Sequence, residues 1–233
     1  MLYDKLMISE LSNIASRVCP LPLRSALHLI KGSVRSWPAI GVLLIAGFLV
    51  ALHLATLIPT ERRNLFRLDR EGSISENWEA VLLLSCGAVF LLCCFLSRRS
   101  VFATPAVATV YMALDGRMEL HEHAAKWVAP GQQDVGELIF MLFVGGVIGA
   151  SLFATYLNAR PRERTQLVAI CFLMGVFGLA AVGVDALHAY LRTRIPILNE
   201  PLVLVEDGGE LLVITGLFAV AIACLSEAVR HRW

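Results

Sequence analysis

The stretch Ala113-Leu-Asp-Gly-Arg-Met-Glu-Leu-His-Glu-His123 gathers Asp115, Glu119, His121, Glu122 and His123 in a short run that follows an apolar segment. On a continuous helix, positions i, i+4 and i+8 share a face. Asp115, Glu119 and His123 would therefore form one stripe of carboxylate and imidazole. Such a stripe can hold a divalent metal or pass a proton. His121 and Glu122 fall off the stripe and read as solvent-exposed.

Two later stretches offer partners. Asp185-Ala-Leu-His188 has the i, i+3 spacing of the Glu-x-x-His elements in di-metal carboxylate bundles. Glu206-Asp-Gly-Gly-Glu210 places two carboxylates at i, i+4 where the last apolar run begins, a position that also suits acids capping a helix N-terminus. Asp115, Glu119, His123, Asp185 and His188 are thus the candidate metal ligands. Glu206 and Glu210 are candidate ligands or general bases. A nitrogen and oxygen donor set without thiolate fits zinc, manganese or iron. A metal there would lower the pKa of bound water toward about 7 and so supply a nucleophile. Two other readings use the same residues: a salt-bridge network in which Arg117 and Arg70 neutralise the acids, and a proton or ion path.

Composition decides what must position these groups. With 57% hydrophobic and 17% charged residues and a mean hydropathy of +0.69, the chain lies outside the range of soluble domains. The expected fold is all-α: a polytopic membrane protein with a six-helix transmembrane bundle and an N-terminal interfacial amphipathic helix. Apolar runs at about 37–59, 79–97, 101–118, 138–157, 167–190 and 210–228 each approach the roughly 20 residues that cross a bilayer. Residues 1–36 mix apolar positions with Lys5, Arg17, Arg24, Lys31 and Arg35. They read as a cytoplasmic or interfacial segment ahead of an uncleaved signal-anchor, and 37–233 as the six-span domain.

Lys and Arg in the loops favour cytoplasmic N- and C-termini. In that orientation most of the acidic residues fall in outer loops or outer helix ends, and so do all the candidate ligands. At 1.5 Å per residue, Asp115 sits roughly 22 Å above the inner boundary of a core about 30 Å thick. An ionisable group at such depth costs about 2.5–3.5 kcal/mol on insertion scales and is usually paired and functional. His53 lies at a comparable level. Ser75 reads as the N-cap of the second span, with Glu76 and Glu79 at its positive end and Trp78 at the interface. Asp69 and Glu71 precede them as candidates to support the ligands from behind or to form a lid. None of the six cysteines falls in an outer loop, so no disulfide framework is expected. Gly145, Gly146 and Gly149 give one helix a small-residue surface suited to a helix contact or subunit interface. No basic tract with interleaved aromatics occurs, so nucleic acid is not an expected partner.

The succession of Leu68-Asp-x-Glu71, Leu114-Asp, Leu120-His-Glu, Asp185-x-x-His188 and Glu206-Asp-x-x-Glu210 resembles a group of bacterial multi-pass membrane proteins with similar acidic and Leu-His-Glu elements at helix ends. The resemblance implies a bacterial inner-membrane protein. The expected function is divalent-metal binding at the periplasmic side, in a membrane metalloenzyme acting on a lipid-like substrate. The alternatives are a non-catalytic accessory subunit of a larger membrane complex and an ion-coupled transporter. Expected partners are the lipid bilayer and other membrane subunits.

Overall fold

In the computed structural model, residues 23–34, 37–56, 73–192, 194–195, 197 and 199–230 are described. Their helices are α1 (Leu23–Val34), α2 (Trp37–Thr56), α3 (Ile74–Ser97), α4 (Ala103–Met118), α5 (Leu120–Val128), α6 (Gln133–Asn158), α7 (Pro161–Gly178), α8 (Asp185–Arg192) and α9 (Asn199–Arg230). A 3-10 turn, Ser100–Phe102, leads into α4, and a π-helix, Leu179–Val184, joins α7 to α8. No strand occurs among the described residues.

Local chemistry sets the helix ends. Ser73, not Ser75, caps α3: its Oγ accepts from the Glu76 N–H at 3.2 Å. Ser75 is buried instead and shares a hydrogen bond of 2.9 Å with the Ser73 hydroxyl. At the other end of α3, Arg98 takes a left-handed conformation (φ 53°) and the chain turns back into α4. Pro161 opens α7, where its missing N–H has no intrahelical partner to lose. Glu163 accepts from the Arg160 N–H at 2.7 Å and completes that helix start.

The core forms where α3, α7 and α9 meet. Ile214, Leu217, Val220, Ala221 and Cys224 recur at helical spacing along α9 and pack on Leu82, Cys86 and Phe90 of α3 and on Ile170 and Leu173 of α7. Leu29 and Ile30 of α1 lie against the same core, while Ala46 and Leu49 of α2 close on Leu211. Trp78, partly buried, packs against both clusters. The α3–α4 seam is close: a Cβ on Gly87 would lie 2.7 Å from Val110 Cγ2 and 3.3 Å from the Ala106 carbonyl oxygen.

Among the described residues, four helices are long and apolar enough to cross a membrane: Ile74–Ser97, Val135–Asn158, Pro161–Val184 and Pro201–Arg230. Their surfaces suit contact with a lipid bilayer. The other two runs read as spans, 37–59 and 101–118, are helical over Trp37–Thr56 and Ala103–Met118. Of the expected amphipathic segment, residues 1–22 and 35–36 lie outside the described residues, as do Arg70, Asp69 and Glu71. Residues 23–34 form α1, joined to the bundle. Burial is uneven among the four: 44% of the apolar window of Pro201–Arg230 is buried, against 6% in Val135–Asn158.

Two polar ends follow from the antiparallel packing. At one, Arg99 pairs with Glu163 at 3.1 Å, and Gln166 donates to Glu227 at 2.7 Å. At the other, Arg117 at the end of α4 pairs with Glu76 at the start of α3, 3.2 Å away. That second end also carries the residues singled out for chemistry.

Candidate functional site

The expected stripe of Asp115, Glu119 and His123 does not form. Glu119 adopts a left-handed conformation (φ 51°, ψ 42°) and is at once the last cap of α4 and the first of α5. That single residue breaks the helical phase, so counting i+4 and i+8 from Asp115 no longer selects one face. His123 is exposed, with its ring Nδ1 2.9 Å from the Glu119 carbonyl oxygen. Its own N–H also donates to that oxygen, at 3.1 Å.

The break brings His121 to Asp115 instead. Asp115 is 6% exposed; its Oδ1 accepts from the His121 N–H at 2.9 Å and its Oδ2 lies 3.1 Å from His121 Nδ1. Tyr111, one turn earlier on α4, donates its hydroxyl to Oδ1 at 3.3 Å. His121 is therefore half-buried and paired, which corrects its reading as a surface residue. The hydrogen bond to the Asp115 carboxylate raises the His121 pKa above its ordinary value against the opposing effect of burial, and the charges of Glu137 and Glu122 add to the rise.

A second carboxylate–imidazole pair forms between α8 and α9. His188 Nδ1 lies 2.7 Å from Glu206 Oε2, and both side chains are largely buried. His188 reaches Glu206 from a helix that has just left the π-helical turn Leu179–Val184. A π-turn holds one residue more than an α-turn needs and shifts the phase of all that follows. Asp185 shares a face of α8 with His188 by the i, i+3 spacing; its side chain lies outside the described residues.

The carboxylates of α3 and α9 act on one another. Glu79, half-buried, feels the negative charges of Glu210, Asp207 and Glu76. The acids read as helix caps thus share one electrostatic neighbourhood. Glu206 and Glu210, candidate ligands or bases, take different parts in it: Glu206 lies against His188, and Glu210 adds its charge to the field at Glu79. His53, fully buried, occupies the last turns of α2. Among the described residues, no three His, Cys, Asp or Glu side chains are grouped so that they could hold a metal ion.

Residues 35–225 match one family, described as "Domain of unknown function (DUF8692)". The chain belongs to DUF8692. The match takes in every residue of both pairs and all four helices that could cross a membrane except the last residues of α9. No curated protein and no solved structure matches this DUF8692 chain.

Sequence reasoning missed two features of the site. Tyr111 stands four residues before Asp115, the spacing of a helical side-chain pair, so that signal was there to read. The left-handed Glu119 carries no signal, because Gly116 is close by and the chain does not use it for the break.

Proposed function

We propose that this DUF8692 chain is a six-span inner-membrane protein whose carboxylate- and imidazole-bearing end faces the periplasm and binds a divalent transition metal. The observation that carries the reading is the 2.7 Å pair between His188 Nδ1 and Glu206. A carboxylate on one ring nitrogen is the usual way a metal-ligating histidine is oriented and made more basic. His188 then ligates through its other nitrogen, with Glu206 as the positioning residue. Asp185, on the same face of α8, supplies an oxygen donor. Zinc, manganese and iron suit this set.

With the metal bound, the chemistry it supplies is activation of water near neutral pH. The chain's own part is orientation by Glu206 and proton acceptance by Glu210 in the adjoining carboxylate array. The substrate fitting an apolar bundle with a polar rim is lipid-like. In this reading Asp115, Glu119 and His123 are not ligands: Asp115 is bonded to His121, and His123 to the Glu119 backbone.

Elemental analysis of the purified protein tests the proposal. Wild type should carry about one equivalent of zinc, manganese or iron, His188→Ala none, and Glu206→Gln less than wild type. Metal-free wild type, prepared without chelator and reloaded without uptake, sinks it.

A second reading, an accessory subunit of a larger membrane complex, draws on α6. That helix is apolar over Val135–Asn158, yet only 6% of its window is buried. Gly145, Gly146 and Gly149 have nothing within 4 Å of an added Cβ. Purification in mild detergent separates the readings, since a subunit brings a fixed partner with it and a self-sufficient protein runs alone.

A further inference from the structure

We propose that the cleft between α4 and α6 is a binding site for the acyl chain of a membrane lipid, with the lipid's polar head at the Tyr111 end. The proposal rests on the membrane-spanning reading above and is independent of the metal. The open cleft has a volume of about 500 Å³, within the range of small-molecule sites. Val107, Ala108 and Tyr111 line it from α4, and Phe143, Val144 and Val147 from α6.

Three features select an acyl chain. The first is position: the lining residues of α6 fall in the middle of the Val135–Asn158 span, at hydrocarbon depth. The second is shape. α4 and α6 touch at one end, where Thr104 bonds Thr155 at 3.0 Å, and part above it. At the other end α5, which follows α4, closes the space by seating Ala125 so near α6 that a Cβ on Gly136 would lie 2.5 Å from the Ala125 carbonyl oxygen. An apolar void in such a seam forfeits dispersion contacts along both walls, and a flexible hydrocarbon chain restores them. Val107 and Phe143 are each 68% exposed, so the cleft opens sideways rather than to the aqueous ends.

The third feature is polarity along the cleft. At the Thr104 end the hydroxyls are already engaged: Ser151 donates to the Val147 carbonyl at 2.8 Å and Thr155 to the Ser151 carbonyl at 2.8 Å. At the Tyr111 end the phenol donates to Asp115 and keeps an acceptor lone pair. Beyond it stands the Asp115–His121 pair, which borders α5 and the turn into α6. A lipid entering with its head toward that end meets hydrogen-bonding groups where it needs them and hydrocarbon elsewhere.

The test is native mass spectrometry of the protein released from mild detergent, with Val107→Trp and Val147→Trp filling the cleft from either wall. Leu142→Trp, on α6 but not lining the cleft, is the control. Wild type and Leu142→Trp should each retain one lipid per chain; both filled variants, with unchanged helix content by circular dichroism, should retain at least tenfold less. Equal retention in all four forms overturns the proposal, as does a wild type that carries no lipid. A dimer in wild type that dissociates in the filled variants also overturns it, because a second copy would then occupy the cleft. Resistance to alkaline extraction, measured alongside, separates failure of the cleft from failure of the membrane reading.

Discussion

Asp115 grips His121 at two points at once, accepting from its backbone N–H at 2.9 Å while meeting its ring Nδ1 at 3.1 Å. One carboxylate thereby fixes both the path of the chain and the face of the imidazole immediately beyond a left-handed residue. Asp115→Ala removes both bonds and leaves the amide of His121 unsatisfied. It should cost about 2–4 kcal/mol, as expected when hydrogen bonds to a charged group are lost and a partner is stranded. His121→Ala removes the ring contact alone and should cost about 1 kcal/mol. Thermal unfolding in detergent reads both, and equal costs would place the grip on the ring rather than on the backbone.

The same pair predicts a pH dependence. His121 has its folded pKa raised, so the folded state favours the protonated ring. The stabilisation is fully present below the ordinary histidine value of 6.5 and is lost as pH rises through the raised folded value. Protection of the α5 amides, taken relative to the intrinsic exchange rate at each pH, should therefore be greatest at acid pH and fall as pH climbs from about 6.5 upward. In His121→Gln that fall in protection should disappear. A trend of opposite sign in wild type would contradict the assignment.

At the other pair, His188→Ala and Glu206→Ala should behave as a coupled set. Each removes the 2.7 Å contact, so the double variant should lose little more than the worse single one. The coupling energy expected for such neighbours is about 0.5–3 kcal/mol. Strict additivity in unfolding free energies would mean that the two side chains act separately.

The glycines divide by what surrounds them. Gly136→Ala drives a Cβ to 2.5 Å from a carbonyl oxygen of α5, and Gly87→Ala drives one to 2.7 Å from Val110 Cγ2. Each should cost about 1–3 kcal/mol as an overpacked seam, with Gly136→Ala the worse because backbone cannot swing aside. Gly145→Ala meets open space and should leave the isolated chain's stability unchanged or slightly raised. If it also disrupts a co-purifying complex, the open face of α6 is where the partner sits.

Much of the fold was legible in the residues. Long apolar runs separated by arginines and turns announce helices whether or not they are paired, and the strongest of them became α3, α6, α7 and α9. The site was less legible because its geometry depends on phase. Asp115, Glu119 and His123 share a face only if the helix runs on, and a non-glycine residue in the left-handed region stops it without a compositional trace. His121 was set aside for the same reason: off the stripe of an unbroken helix, it is on target after the break. His188 and Glu206 were each visible as chemistry-bearing residues. Their pairing was not, because it depends on a π-turn that simple helical counting does not anticipate.

That π-turn has a consequence for how the site can vary. Were Leu179–Val184 to tighten to α-helix at unchanged length, the segment would wind by about 100° more and turn all of α8 with it. His188 would then swing away from Glu206, whereas deleting one residue from the turn would remove the π-turn and its extra residue together and leave α8 facing as it does. The extra residue and the wide turn are thus matched: one imidazole stays engaged only while both are present or both are absent.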